Sequence, residues 1–351
     1  MKSRLGFLKF FVFAQWVFFS TAAQLVVSTQ AQSVDSLSIL TYDSIASPKG
    51  LAGHLVPEFE RQCQCKVKLI SSGDAGTLAS RLELEARRGS SSMDLVWGFD
   101  ELLWPRVRPH VQKASFQKLA PIEREVLGLI SKEWEEGFVP FDYGVFSWIV
   151  DTDSKIQPPK DLQQLLAMAY KKKVLLQDPR TSTPGLAFLR FTQAQISDPQ
   201  LWSRFWSSLS QQWLTLAPGW DQSYSLFLKG EAPIVWSYIT SEAYHRMNGD
   251  SKGRYRAAIF PEAMPVQVEG AALLKKAKNS VLAVQFLEFL LSESAQKKIP
   301  EGNWMLPVRQ GITLPTAFQG LPKPKKWMSL KGSGEDLKEL LKKWSHAVHS
   351  Q

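Results

Sequence analysis

The sequence predicts an α/β fold made of two lobes with a ligand cleft between them. Strand and helix patterns alternate from Ser36 onward, and a second series of the same kind begins after Gly137. The chain has 351 residues, which is enough for two domains of ordinary size. Alternation of strands and helices implies a mainly parallel sheet with helices on its faces. Ligands of such sheets bind beyond the carboxyl ends of the strands.

The first series contains three short strands separated by amphipathic helices. Runs of β-branched and leucine residues predict the strands, and apolar residues at helical spacing predict the helices. In chain order, we expect a strand at 37–42, a helix at 50–61, a strand at 66–70, a helix at 77–85 and a strand at 94–99.

The second series opens with a long aromatic and β-branched run at 138–150, which favours a strand. Further strands are expected at 173–176, 232–238 and 266–274, with helices at 162–168, 183–193, 201–211, 223–229, 280–291 and 335–346. We therefore predict one lobe from 32–137 together with about 266–330, and a second lobe from 138–265. Residues 331–351 are expected to form a C-terminal helix that packs on the body.

The N-terminus has the three parts of a secretory signal peptide. Lys2, Arg4 and Lys9 precede an apolar run at 10–19, and small residues follow up to Ala31. The apolar run is too short to span a bilayer as a mature helix. We predict that residues 1–31 are removed and that the mature protein is periplasmic.

Charge and motifs exclude several classes of protein. The formal net charge is +9, and removal of the signal peptide takes away three basic residues and leaves a modest positive charge. The short lysine runs are typical of solvated helix ends, so nucleic-acid binding is not expected. The sequence has no GxSxG, P-loop, HExxH or GxGxxG motif, and its 5 histidines are scattered. These absences favour binding over catalysis.

The chain has two cysteines, Cys63 and Cys65, separated by one residue. An oxidising compartment would permit a local disulfide between them, although so small a ring is easily strained. We interpret them as a structural pair, and the sequence leaves open whether they are oxidised.

Several segments together resemble one known family. The segments are YDS at 42–44, FVPFDYG at 138–144, QDPRTSTPGL at 177–186, GW at 219–220, LFLKGE at 226–231, SY at 237–238, QVE at 267–269 and GNWM at 302–305. They resemble, in order from about 37 to about 318, the periplasmic thiamine-binding proteins of ABC importers, which are type II periplasmic binding proteins. The QDPRTSTPGL segment alone is typical of the wider type II family, whereas FVPFDYG together with GNWM is more specific.

The resemblance implies a two-lobed type II fold and a receptor that captures thiamine, thiamine monophosphate or thiamine diphosphate. Such a receptor delivers its ligand to membrane permease subunits, and it has no catalytic residue, resident cofactor or metal. We expect a monomer. Three alternatives remain open: a binding protein for another cargo such as ferric ion or a polyamine-like cation, an exported enzyme acting on thiamine, and an interaction protein built on the same fold.

The resemblance also implies which aromatic side chains bind the ligand. The thiazolium ring of thiamine is a permanent cation, and aromatic faces attract cations by ~1–2 kcal/mol when desolvated. Trp304, Tyr238 and Tyr42 are the predicted faces, with Tyr244 as a further candidate. The alternative for Trp304 is packing beneath the loop after the helix at 280–291.

Polar candidates lie at two predicted helix starts. The Asp74 carboxylate could accept from the aminopyrimidine, balance the cation or cap the following helix. Ala75 replaces a glycine of the family, so close backbone approach at this point does not follow from the resemblance. Ser182 and Thr183 precede Pro184, and a helix start there could bind phosphate or be an ordinary N-cap.

The remaining predicted contacts lie on the second lobe. Trp220 is expected beside the phosphate. At the end of the strand at 232–238, the family sequence Tyr-Thr-Thr-Ser is replaced here by Tyr238, Ile239, Thr240 and Ser241. Ile239 lacks the hydroxyl that threonine would supply, so the set of polar contacts differs at this position.

Overall fold

The computed structural model describes residues 35–89, 92–116, 120–260, 263–331 and 334–349. The predicted signal peptide at 1–31 lies outside the described residues. The strands are β1 (Ser36–Thr41), β2 (Lys66–Ser71), β3 (Leu95–Asp100), β4 (Val139–Asp151), β5 (Val174–Gln177), β6 (Trp213–Ala217), β7 (Ile234–Tyr238), β8 (Tyr255–Ala258), β9 (Ala263–Leu273), β10 (Leu306–Pro307) and β11 (Lys326–Met328).

The helices lie between these strands, largely where periodicity predicts them. They are α1 (Asp43–Ala46), α2 (Leu51–Cys63), α3 (Ala75–Arg87), α4 (Trp104–Val107), α5 (Arg124–Glu136), α6 (Thr183–Gln195), α7 (Pro199–Leu209), α8 (Trp220–Leu228), α9 (Thr240–Met247), α10 (Ser280–Leu290), α11 (Glu293–Gln296), α12 (Ile299–Gly302) and α13 (Gly334–His349). None of these described helices is both long and apolar enough to cross a membrane.

The sheet runs in the order β2-β1-β3-β9-β4-β7-β5-β6, and β4 divides it into two halves. The first part of β4 pairs with β9, and its last part pairs with β7 and β8. We call β2, β1, β3 and β9 the first half-sheet and β7, β5, β6 and β8 the second half-sheet. Strands β2, β1 and β3 are parallel to one another, as predicted, and so are β7, β5 and β6. Strand β9 is antiparallel to both β3 and β4, and β7 is antiparallel to β4.

Strand β9 follows the whole second series in sequence, yet it pairs with β3 in the first half-sheet. The predicted discontinuous lobe requires a return of this kind. The described residues belong to one compact unit, so the lobe boundaries near 137 and 266 stay predictions.

The predicted helix at 162–168 is wrong. Two single turns of 3₁₀ helix, Gln164–Leu166 and Met168–Tyr170, replace it. Ala167 between them has an extended backbone with ψ of 149°, which interrupts the hydrogen bonding of a longer helix.

Most tryptophans fill the core, as expected for so large an apolar side chain. Trp97, Trp148, Trp206, Trp236 and Trp344 are fully buried. Trp344 belongs to α13 and meets Trp206 of α7 edge to face, with ring centroids 6.0 Å apart. This contact packs the C-terminal helix α13 against α7.

Cys63 and Cys65 form a disulfide at the turn from α2 to β2. Gln64 between them adopts a left-handed backbone conformation with φ of 53°. The pair is therefore structural, as interpreted, and it is oxidised.

Candidate ligand-binding site

A cavity of about 280 Å³ lies where the carboxyl ends of β1 and β7 meet the starts of α3, α6 and α8. Both half-sheets contribute to its wall. The cavity lies beyond the carboxyl ends of strands, where ligands of α/β sheets bind. Of the predicted contacts, it is lined by Tyr42, Asp74, Ala75, Thr183, Trp220, Tyr238, Ser241, Tyr244 and Trp304. Ser182, Ile239 and Thr240 are buried beside the cavity without lining it.

Aromatic rings form two walls of the cavity. The Trp220 indole stacks on Tyr224, one turn further along α8, with centroids 4.7 Å apart and an angle of 16° between planes. On another wall, Trp304 meets Tyr244 edge to face at 4.9 Å. The predicted rings Trp220, Tyr244 and Trp304 are thus held by ring–ring contacts rather than lying free in solvent.

Trp304 has a left-handed backbone conformation, with φ of 54°. This region is unfavourable for a bulky side chain, so the surrounding structure must hold the residue there. It lies directly after α12, and its side chain lines the cavity instead of packing beneath the loop after α10. The conformation favours the binding interpretation of Trp304 over the packing alternative.

Asp74 occupies the N-cap position of α3 and also faces the cavity. Its Oδ1 accepts from the backbone N–H of Ala75 at 2.7 Å, and its Oδ2 accepts from that of Trp220 at 3.1 Å. Burial raises the pKa of the Asp74 carboxyl, and the contact with the Ser182 hydroxyl and the two N–H donors oppose that rise. The cap alternative is therefore correct, while the carboxylate still lines the cavity.

Close backbone approach near this helix occurs at Gly76, one residue after Ala75. A Cβ at Gly76 would lie 2.6 Å from the Thr181 carbonyl oxygen, so a larger residue does not fit. Ala75 is buried and tolerates its side chain. The alanine that departs from the family pattern therefore does not prevent contact between α3 and the turn before α6.

The start of α6 already faces two carboxylates. The Thr183 hydroxyl donates to Asp100 Oδ2, and Ser182 contacts Asp74. Ser182 holds the N-cap position but makes no side-chain hydrogen bond to the helix. A phosphate placed here would lie beside Asp74 and Asp100, which makes the predicted anion site electrostatically unfavourable.

At the end of β7, the four predicted residues divide into two that line the cavity and two that do not. Tyr238 and Ser241 line it, whereas Ile239 and Thr240 turn into the protein. The Trp220 Nε1–H donates to Ser237 Oγ at 2.8 Å, and Ser237 is hydrogen-bonded to Ser241 at 2.8 Å. This chain of hydroxyls fixes the orientation of the Trp220 indole.

The floor of the cavity is a hydrogen-bonded network around Glu269. Tyr42 Oη donates to Glu269 Oε2 at 2.9 Å, and Gln267 Nε2 donates to Oε1 at 2.9 Å. Tyr238 Oη in turn donates to Gln267 Oε1 at 2.7 Å. Two of the predicted tyrosines are therefore oriented by one buried glutamate.

Asp142 lies beneath Glu269, and Asn303 connects the two acids. Asn303 Nδ2 donates to Asp142 Oδ2 at 2.7 Å and to Glu269 Oε2 at 3.1 Å. Burial raises the pKa of Asp142 to about 7, and burial together with the Asp142 charge raises that of Glu269 well above its usual value. The two acids are thus close to each other and buried.

Acidic side chains, one buried and two half-buried, dominate the electrostatics of the cavity. Asp74, Asp221 and Glu269 line it, and burial raises the pKa of each. Among the described residues, the side-chain ion pairs are made by carboxylates other than these three. Lys49 is the one basic side chain among the described lining residues. Such a cavity is suited to a cation, because a positive charge would stabilise carboxylates that are costly to bury alone.

Sequence reasoning missed several lining residues. Tyr224 and Asp221 follow from the helical position of Trp220, and Glu269 is the one charged residue of the buried strand β9. A charged residue inside a buried strand is an available signal, since such residues are rarely buried without a partner. Gln267, Asn303 and Lys49 carry no comparable signal by themselves.

In the part of the chain that the structure describes, no group of three His, Cys, Asp or Glu side chains has a geometry that could hold a metal ion.

Residues 54–326 match the family model described as bacterial extracellular solute-binding protein. The chain is 37% identical over 309 residues to a thiamine-binding periplasmic protein of Brucella melitensis, covering 88% of this chain and 90% of the relative. It is also 37% identical over 290 residues to the protein of the same name from Escherichia coli, covering 82% and 85% of the two chains.

A solved structure of a periplasmic thiamin binding protein matches with a TM-score of 0.80 and 34% identity, covering 91% of this chain and 98% of that one. Iron-bound HitA from Pseudomonas aeruginosa matches with a TM-score of 0.68 but only 20% identity, covering 88% and 99%. The second likeness concerns the fold alone.

Proposed function

Because this chain belongs to the bacterial extracellular solute-binding protein family, we propose that it is a periplasmic receptor that binds thiamine and delivers it to the permease of an ABC importer. The thiamine-binding relatives support the ligand class. The cavity supports it independently, through the chemistry of its walls and floor.

One observation carries the proposal: the cavity combines aromatic walls with the buried carboxylate of Glu269 and the half-buried carboxylate of Asp74, which have no ion-pair partner among the described residues. Thiamine is complementary to both features, because it has a flat aminopyrimidine and a permanently cationic thiazolium. The thiazolium gains ~1–2 kcal/mol from a desolvated aromatic face and further stabilisation from Glu269 and Asp74. A neutral ligand of the same shape would leave those carboxylates uncompensated.

Closure around the ligand follows from contacts that join the two half-sheets. Asp74, before α3, accepts from the N–H of Trp220, and Asp100, at the end of β3, accepts from Thr183. Ligand that touches both sides would favour the state in which these bonds are made. The receptor needs no covalent chemistry for this, and we propose that it has no catalytic role.

We propose that thiamine monophosphate and thiamine diphosphate also bind, with the phosphate directed toward Lys49. Lys49 is exposed at the cavity and lies near Ser44 and Ser47, which also line it. This position avoids the carboxylates that face Thr183. The sequence-based placement at Ser182 and Thr183 is therefore the less favourable of the two.

The mature receptor is proposed to be a periplasmic monomer, exported by the signal peptide predicted at 1–31. Its partners are the ligand and the membrane permease. The periplasmic relatives and the extracellular family support this location.

Calorimetric titration of the mature protein tests the proposal. Thiamine and its two phosphates should bind one to one, and an uncharged analogue with a thiophene in place of the thiazolium should bind at least tenfold more weakly, by ~1.4 kcal/mol. Spermidine and ferric ion serve as alternative cargoes in parallel titrations. Tight binding of either one without thiamine binding, or turnover of thiamine by the protein, would contradict the proposal.

A further inference from the structure

Two buried carboxyl groups, those of Asp142 and Glu269, lie side by side beneath the cavity. The residues are direct neighbours across strands β4 and β9. Both accept from the same atom, Asn303 Nδ2, so their oxygens converge on one nitrogen. Asp142 is fully buried, and Glu269 is 5% exposed.

The groups that face this pair do not neutralise it. Tyr42 from the end of β1, Gln267 of β9 and Asn303 after α12 are uncharged donors to Glu269. Asp142 itself raises the pKa of Glu269, and the neighbouring charge of Asp100 raises it further.

Tyr238 of β7 is hydrogen-bonded to Gln267, and Glu101, directly after β3, accepts from the Val268 backbone N–H. The positive charge of Lys331 lowers the pKa of Glu101. Asp142 Oδ1 is buried and receives no hydrogen bond from a donor among the described residues. Two carboxylates in such surroundings cannot both remain ionised, and a proton between them restores a hydrogen bond.

We propose that the Asp142–Glu269 pair holds a proton while the cavity is empty and releases it to solvent when a cationic ligand binds, so that ligand capture is coupled to proton loss. The proposal rests on the proposed function only in that the ligand is a cation. The positive charge of the ligand takes the place of the proton's charge, and no bond other than the O–H bond is broken.

The direction of the pH dependence follows from linkage. Burial and the Asp142 charge raise the pKa of Glu269 well above its usual value, so the empty pair holds a proton near neutral pH; a nearby cation lowers that pKa, so the occupied site binds fewer protons than the empty one. Affinity should therefore increase as pH rises and decrease as pH falls through this range. Release of one proton corresponds to a tenfold change in affinity per pH unit.

Titration of the mature protein with thiamine at pH 7, in two buffers of different ionisation enthalpy, counts the protons released. We expect about one, and about a tenfold weaker affinity at pH 6 than at pH 7, where the aminopyrimidine remains neutral. Asp142→Asn should lower the count, and the double variant Asp142→Asn/Glu269→Gln should reduce it to near zero. Glu83→Gln removes a carboxylate that pairs with Arg106 and does not line the cavity, and it should leave the count unchanged.

Thiamine binding without proton release, or an undiminished count in the double variant, would overturn the coupling while leaving the proposed ligand intact. Carboxyl ¹³C NMR of the ligand-free protein adds a test that requires no ligand. Burial also raises the pKa of Asp74, Asp100, Glu101 and Asp221, so the double variant identifies the signals of the pair: two carboxyls that titrate above the usual range should disappear in it. If both carboxyls that disappear are ionised at pH 7, the pair holds no proton and the proposal is wrong.

Discussion

Glu242 and Glu269 are two buried glutamates with opposite surroundings. Glu242 is 4% exposed and Glu269 is 5% exposed. Glu242 accepts from Arg246 at 2.5 Å, from Arg256 at 2.9 Å and from the Ala257 N–H at 2.7 Å. Glu269 accepts only from uncharged side chains among the described residues. The first carboxylate is neutralised by the protein and stabilises the fold, whereas the second is left for a ligand to neutralise.

The largest expected effect is that of Glu269→Gln on affinity. The variant removes the carboxylate closest to the cavity floor while keeping its shape, so thiamine should bind about 100-fold more weakly, by ~2.7 kcal/mol. Its stability should be unchanged or higher, because an uncompensated buried acid is removed. Calorimetric titration and urea unfolding measure the two quantities; a large stability loss with normal affinity would reverse the roles of the two glutamates.

Glu242→Gln should have the opposite pattern. Removing the partner of Arg246 and Arg256 should lower the free energy of unfolding by about 2 kcal/mol, less than for a fully buried pair because both arginines are partly exposed. Affinity of the folded variant for thiamine should remain within twofold of the parent. Weaker ligand binding without a change in unfolding midpoint would count against this assignment.

Trp304→Ala tests the aromatic contribution without changing charge. The loss of one cation-facing ring should weaken thiamine binding at least tenfold, or ~1.4 kcal/mol. Trp344→Phe is a control indole substitution on α13, outside the cavity, and should not change affinity. An unaltered affinity in Trp304→Ala would remove this residue from the site.

The smallest expected effect is that of Lys49→Gln. Thiamine phosphate should lose about threefold in affinity, or ~0.7 kcal/mol, because an exposed lysine contributes little in water. Thiamine itself should bind equally well or slightly better. Equal losses for both ligands would show that the phosphate does not reach Lys49.

Much of the fold could be predicted from the sequence because periodicity reports one-sided burial directly. Helix α5 was not predicted; Gly128 interrupts its apolar residues, and its backbone is irregular at Ile130. Helix α9 was missed because it begins two residues after β7 and buries the polar residues Glu242 and His245 on a face that would ordinarily be apolar.

The aromatic part of the candidate site was predicted from the resemblance, but its acidic floor was not, although Asp142 and Glu269 lie in the resembling segments FVPFDYG and QVE. Asp142 and Glu269 become neighbours only through the antiparallel register of β4 and β9, which have a bulge between Pro140 and Asp142. Register and bulges depend on packing over the whole sheet and leave little trace in local sequence. The same holds for Thr183 at the start of α6, whose hydroxyl donates to Asp100 at the end of β3.

The pairing of β3 with β9 has a consequence for how the chain is made. The edge of β3 has no partner until residues 263–273 emerge, long after the N-terminal strands have been synthesised. Until then its open backbone groups are a template for intermolecular pairing. A truncated product that ends near residue 137 should therefore aggregate, and productive folding must await nearly the full-length polypeptide.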